Sequence, residues 1–418
     1  MDYRDVLGPK SRESVEKIKK YSANNYEPYP FVVKWAEGPW LYDVDNNRAL
    51  DFLSAYSSIL SHNYTPIVDA VKLELDCGSD LVSRAVYSSR YADFAELITS
   101  LTGYDRVLSK SDGGSATDSA LSGILMHGHE HGIKDPEVIL TENYFHGRTW
   151  PFASNALFDP DQSYRRIPRS PGIRVVHDDI DSISEAVNNN TVGIFIETHK
   201  GEGGPLFSTK KHFMDVKNLA KENNLIFGCD EIQTGLGRCG YLMAWQEFGE
   251  EARPDFVTLG KALGGGIIPV SAVVGTEDFM EIYTPGSDGS TFGGYPLACA
   301  AAIASLESIV KQKVPERSLE LGDYFVDKLK DVDGVNAENK GLLIRVEING
   351  AKSAKPACIE MLTGDYEPRV FMKAGHYSEE KDAAYARIAP PPLALDKELI
   401  DYALDNTVIP VLKKHAKP

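Results

Sequence analysis

Two short apolar runs, residues 225–229 and 256–259, each stop at an ionisable side chain. The first is followed at once by Asp230-Glu231, the second by Gly260-Lys261. Runs this short, apolar on both faces, are typical of buried strands in a parallel sheet. Ligands of open α/β sheets sit beyond the carboxyl ends of the strands. An acid and a lysine are therefore expected at the mouth of one sheet, and the fold class is read as α/β.

That pair has a chemical use. A lysine amine forms an imine with an aldehyde, and a carboxylate facing a pyridine nitrogen keeps that nitrogen protonated. The charged ring then accepts electrons from a carbanion. This is the pyridoxal phosphate arrangement. Lys261 is expected as the imine lysine and Asp230 as the pyridinium partner. Taken singly, each is more often a solvated lysine or a capping acid. Together, among glycines, they favour the cofactor.

Other segments add to the same edge. Residues 92–193 alternate between helix and strand. A strand at 106–108 leads into Ser111-Asp112-Gly113-Gly114-Ser115 and a helix over 115–127. A glycine pair at a helix start presents backbone N–H groups at a positive end, a phosphate cradle. That run contains no GKS/T and no GxGxxG, and Gly113-Gly114 can equally be a plain turn. A strand at 138–141 exits into Tyr144-Phe145-His146-Gly147-Arg148-Thr149. Phe145 can stack on a planar ring, and Arg148 can hold a carboxylate by its fork. The bland alternative is a turn with an exposed arginine. A strand at 191–197 opens into a loop holding Glu202, and Ser54-Ala55-Tyr56-Ser57-Ser58 leaves the strand at 49–53. Ser290-Thr291-Phe292-Gly293-Gly294 opens a long helix over 297–311. Beyond residue 313 a helix over 319–332, a strand at 341–348 and a last helix over 397–414 suggest a smaller α+β domain. The polar segment 351–385 is long for a loop and reads as partly structured or as a lid.

Composition excludes several classes. The net charge is −17, which disfavours nucleic acid and anionic membranes as partners. Five cysteines without CxxC spacing argue against a disulfide framework or a structural zinc site. No metal is expected. No secretory signal and no membrane-length apolar run is visible, so a cytoplasmic enzyme is expected.

The motifs Asp230-Glu231-Ile232-Gln233-Thr234-Gly235, Gly260-Lys261-Ala262-Leu263-Gly264-Gly265-Gly266, Phe145-His146-Gly147-Arg148-Thr149 and Gly289-Ser290-Thr291-Phe292-Gly293-Gly294 resemble those of class III, fold-type-I pyridoxal phosphate aminotransferases. Phe52-Leu53-Ser54-Ala55-Tyr56-Ser57 and Ser83-Arg84-Ala85-Val86-Tyr87 are most similar to the ornithine aminotransferases of that family. The resemblance covers nearly the whole chain and weakens over roughly its last hundred residues. It implies a large domain with a mixed, mostly parallel sheet flanked by helices, plus a smaller α+β domain. The expected boundaries are 1–50 for an N-terminal segment packing with the small domain, 51–312 for the large domain and 313–418 for the small one.

The resemblance also implies roles. Lys261 would hold the cofactor and shuttle a proton, Asp230 would pair with the pyridinium, and Gln233 would touch the phenolic oxygen. Phe145 would stack on the ring. Gly113 and Gly114 would cradle the phosphate, with Thr291 reaching it from the other subunit of a homodimer with shared active sites. Tyr26 and Arg148 would hold the substrate α-carboxylate, and Tyr56 would border its chain. Glu202 and Arg387 would form a switch: Glu202 neutralises Arg387 with the amino donor, and Arg387 binds the 2-oxo acid acceptor. Thr198 and Lys200 stand where the family pattern has proline and glutamine, and Asp112 is an unexpected charge beside a phosphate loop. The expected reaction moves the distal amine of ornithine, or of a similar diamino acid, to 2-oxoglutarate. Lysine, acetylornithine or 4-aminobutyrate transamination, and racemisation on the same fold, are the alternatives.

Overall fold

The computed structural model describes residues 6–78, 84–155, 167–202 and 204–417. Ser83 of the ornithine-type motif lies outside the described residues. The chain divides into two compact units, one from residue 65 to 316, the other built from 1–64 and 317–418. A division at 50/51 was expected, whereas the segment after Phe52 remains tied to the chain's end. Ala389 N–H donates to the Phe52 carbonyl at 2.7 Å, and Leu393 N–H to that of Leu60 at 2.9 Å.

The 65–316 unit is organised by a seven-stranded sheet. Its spatial order is Arg106–Lys110, Ser271–Gly275, Phe256–Leu259, Ile226–Asp230, Thr191–Glu197, Glu137–Thr141 and Ile173–Val176. Ser271–Gly275 runs antiparallel to both neighbours, and the other pairings are parallel. The sheet is thus mixed and mostly parallel, as expected for the large domain. Thr191–Glu197, Phe256–Leu259 and Ser271–Gly275 are buried at every position, which is why they read as unbroken apolar runs. Helix Gly113–Glu130 packs Ala116, Ala120 and Ile124 onto Leu140, Phe195 and Val273.

The other unit contains two four-stranded sheets. One is antiparallel, ordered Val335–Lys340, Leu343–Asn349, Ala383–Ile388 and Lys373–Ser378. The other joins Val33–Glu37, Trp40–Asp43 and Arg48–Asp51 to Arg369–Phe371. A common core of Leu50, Phe52, Phe325, Ile344, Met361 and Ile388 binds them.

Of the two readings of 351–385, the structured one holds: the segment contains helix Lys355–Thr363 and strands Arg369–Phe371 and Lys373–Ser378. Ala357, Cys358, Met361 and Leu362 fall on one helical face and are buried, a short pattern hidden among charges. The last helix runs over 397–415, but with a π turn, Leu404–Val408, between Lys397–Ala403 and Ile409–His415. Pro410 lacks an N–H and its ring crowds the preceding turn, so the regular ladder cannot pass through it.

Candidate active site

Asp230 closes its strand, and its register neighbours are Glu197 and Thr258 on the flanking strands. Polar groups therefore meet at the carboxyl edge of the sheet. Asp230 Oδ1 accepts from Thr258 Oγ1 and from the Ile232 amide, both at 3.0 Å. Its Oδ2 lies 2.7 Å from His146 Nδ1. The His146 ring is stacked between Phe195 and Tyr144, with centroids 4.4 and 5.0 Å away. Its Nε2 is buried without a hydrogen-bond partner among the described residues. Donation to the carboxylate therefore assigns the ring proton to Nδ1. Three donors fix the Asp230 carboxylate in one orientation.

Two further acids back this edge. Glu197 accepts from the Phe145 amide at 2.7 Å and from the Gly201 amide at 3.1 Å. Burial, reinforced by the nearby charge of Asp230, pushes its carboxyl up to about 8. Glu231 accepts from Thr198 Oγ1 and the Trp245 amide at 2.8 Å and from the Ala244 amide at 2.7 Å. Burial pushes it to about 7. Thr198 thus supplies a hydroxyl to a buried carboxyl.

Helix Gly113–Glu130 begins at the glycine pair. The Asp112 carboxylate turns into its own helix, accepting from the Ser115 amide at 3.0 Å and the Ser115 hydroxyl at 2.5 Å. An N-cap explains the acid that looked misplaced beside a phosphate cradle. Gly113 and Gly114 hold first-turn positions whose amides have no acceptor within the helix. The turn after Thr141 presses on them: a Cβ at Gly147, where φ is +103°, would lie 3.0 Å from Gly114 Cα. Thr117 Oγ1 ties the turn down at the His146 carbonyl, 2.6 Å away.

Lys261 opens a short 3-10 turn in a left-handed conformation, φ +46°. A non-glycine residue held there carries strain, which clusters at functional positions. Ser305 Oγ donates to the Ala262 carbonyl at 2.6 Å and anchors the turn.

These elements enclose a cavity of about 230 Å³. Lys261, Asp230, Gly113, Gly114, Phe145 and Gln233, all expected at the cofactor, line it, as does Glu202, expected at the substrate. His146, Glu197 and Ile232 also line it and were not expected. His146 directly follows Phe145 in the sequence, and only its bond to Asp230 reveals its role. Thr291 is exposed and does not line this cavity. Arg148 is exposed, its guanidinium 6.0 Å from the Phe145 ring centroid. In the other unit Tyr26 is exposed, and Arg387, 3% exposed, lies 4.8 Å from the ring centroid of Tyr56. Among the described residues no cluster suited to a metal ion occurs, and no helix is long and apolar enough to cross a membrane.

The cavity suits a flat, phosphorylated pyridine aldehyde. It offers side-chain-free amides at a helix start, one oriented carboxylate, one aromatic ring and one amine. The family model for class-III aminotransferases matches residues 21–407. An ornithine aminotransferase of Geobacillus sp. (strain WCH70) is 37% identical, over 95% of this chain and 98% of its own. Ornithine aminotransferase 2 of Staphylococcus aureus (strain Mu50) is also 37% identical over 95% of this chain and 98% of its own. The ornithine aminotransferase structure from Toxoplasma gondii, which has PLP at partial occupancy in its active site, superposes with a TM-score of 0.88 at 29% identity, covering 99% of this chain and 96% of its own. The Plasmodium falciparum ornithine delta-aminotransferase gives 0.83 at 29%, covering 97% and 98%. An Elizabethkingia anophelis acetylornithine aminotransferase gives 0.81 at 30%, covering 97% and 98%. The chain belongs to the class-III aminotransferases, transaminases that work with pyridoxal 5′-phosphate.

Proposed function

We propose that this transaminase moves the distal amino group of ornithine, or of a close diamino acid, to 2-oxoglutarate, yielding a semialdehyde and glutamate. The observation that carries the reading is Glu202 on the wall of the cavity that holds Lys261 and Asp230. An acid there can mask a carboxylate-binding arginine while a donor presents its distal amine. Relatives named ornithine aminotransferase, matching over almost the whole chain, support it.

When bound, pyridoxal phosphate supplies an aldehyde for the amino group and a ring cation that stores an electron pair. The Gly113 and Gly114 amides would hold the phosphate. Asp230 would keep the ring nitrogen protonated, and His146 keeps Asp230 aimed. Phe145 would cover the ring, and Gln233 would meet its phenolic oxygen. Lys261 Nζ would tether the cofactor and serve as the base that takes up and returns the substrate proton. Tyr26 and Arg148 take the donor's α-carboxylate, and Tyr56 borders its chain. Glu202 neutralises Arg387 until the acceptor arrives, whose α-carboxylate Arg387 then binds. Thr291 reaches the phosphate of a second copy, so the working form is a homodimer. The described cysteines are free, which fits a cytoplasmic setting.

The test is a half-reaction panel. The enzyme is mixed with ornithine, acetylornithine, lysine, 4-aminobutyrate or 2,4-diaminobutyrate, and bleaching of the cofactor band is followed. Ornithine should react fastest. Preference for acetylornithine would favour the acetylornithine reading. In Glu202→Ala, glutamate should gain on ornithine, and an unchanged ratio would remove the switch.

A further inference from the structure

The loop from Thr284 to Gly289 is exposed at every residue but one. Asp288 turns inward, its side chain 11% exposed, and meets two groups of the segment that carries Gly113 and Gly114. Its Oδ1 accepts from Lys110 Nζ at 2.5 Å, and its Oδ2 from Ser119 Oγ at 2.6 Å. Lys110, buried, ends strand Arg106–Lys110, and Ser119, also buried, lies in the second turn of helix Gly113–Glu130. One carboxylate therefore joins the strand before the glycine pair to the helix after it.

The same loop grips both ends again. Lys110 Nζ also donates to the Gly289 carbonyl at 3.1 Å, and Tyr283 Oη donates to the Ser119 carbonyl at 2.8 Å. Between the two ends, Ser111 Oγ lies 3.4 Å from Ser290 Oγ, and Ser271 Oγ donates to the Asp112 carbonyl at 2.6 Å. A buried ion pair gains little stability over apolar residues of the same volume, and its best-attested use is to select one arrangement. What this pair selects is the angle between a strand end and a helix start. That angle sets where the Gly113 and Gly114 amides point, and a hydrogen bond weakens steeply once its donor is misaimed.

We propose that Asp288 is a positioning residue for the cofactor's phosphate: by bridging Lys110 and Ser119 it aims the Gly113 and Gly114 amides at one point. This rests on the reading that the glycine pair cradles that phosphate.

The test titrates the full-length protein, freed of cofactor, with pyridoxal 5′-phosphate and with pyridoxal, which lacks the phosphate, and follows the visible band. Asp288→Asn and Lys110→Met should each weaken binding of pyridoxal 5′-phosphate about tenfold, the scale of one lost hydrogen bond to a charged group, and leave that of pyridoxal unchanged. Ser119→Ala keeps the ion pair and removes the second anchor. It should shift the same ratio in the same direction, and it carries the test if the other two variants fail to fold. Gly113→Pro is the control: proline fits the first helical position but has no N–H, so one cradle amide is deleted. It should weaken the phosphorylated cofactor alone. Parental ratios, or equal losses for both cofactors, with Gly113→Pro still selective, would make the bridge structural only and overturn the proposal. Tighter binding of pyridoxal 5′-phosphate in Asp288→Asn with weaker binding in Lys110→Met would mean that the Lys110 charge, not the aim of the amides, acts on the phosphate, and would overturn it too. A non-selective Gly113→Pro would overturn the cradle reading and this inference together.

Discussion

Asp230 and Glu197 end neighbouring parallel strands in register, so two carboxyls share one sheet edge and only one can be charged cheaply. Glu197 is the one held back, with its carboxyl near 8. The folded state keeps that proton, whereas the unfolded chain releases it near pH ~4.3. Stability should therefore fall as pH rises from about 4 towards 8 and flatten above. Glu197→Gln lacks this slope. Its melting temperature relative to the parent should be higher at pH ~8.5 than at pH ~5.5, by roughly 2–4 °C. A pH-independent difference would contradict the assignment.

His146 touches Asp230 through one short bond in an apolar slot. His146→Phe keeps the ring stack and loses the donor. A hydrogen bond to a charged group is worth about 1.5–3 kcal/mol, so kcat/KM should drop roughly 10- to 100-fold with little change in thermal stability. Steady-state kinetics and a thermal melt decide it, and near-parental kcat/KM would mean that Asp230 holds its orientation unaided.

Lys261 combines chemistry with strain, and the two separate by substitution. Lys261→Ala and Lys261→Gly should both lack detectable turnover. The glycine variant sheds the left-handed strain and should be more stable than the alanine variant by about 1 kcal/mol. Denaturant midpoints of the two inactive proteins measure that difference, and residual normal turnover in either refutes the role.

Gly147 backs onto Gly114 at a φ open to glycine. Gly147→Ala should cost about 1–3 kcal/mol in stability and weaken cofactor retention, because the added methyl pushes on the helix start. Dialysis against buffer without cofactor, read by the visible band, tests the second effect.

Much of the catalytic edge was legible because strand ends are punctuated. Asp230 and Lys261 each follow a buried apolar run, and Gly113-Gly114 follows the short strand Arg106–Lys110, so position along the chain is enough to place them. His146 and Glu197 escaped because their roles depend on neighbours across the sheet, 84 residues away for His146 and Asp230. Strand Val335–Lys340 escaped because an edge strand with one buried position, Val335, has no apolar run to see. The π turn before Ile409 follows from Pro410, a signal present in the chain but outweighed by the helical spacing around it.

Strand Arg48–Asp51 takes as its parallel neighbour Arg369–Phe371, with Ala49 beside Arg369 and Asp51 beside Phe371. Everything from residue 65 to 316 is translated between them. At about 5–20 residues per second, the early strand waits roughly a quarter-minute to a minute on the ribosome for its neighbour. Throughout that interval one of its edges is open to mispairing with other nascent chains. Chaperone demand and inclusion-body formation should then track substitutions near this first strand more than those at the catalytic edge, whose own unit is already fully synthesised.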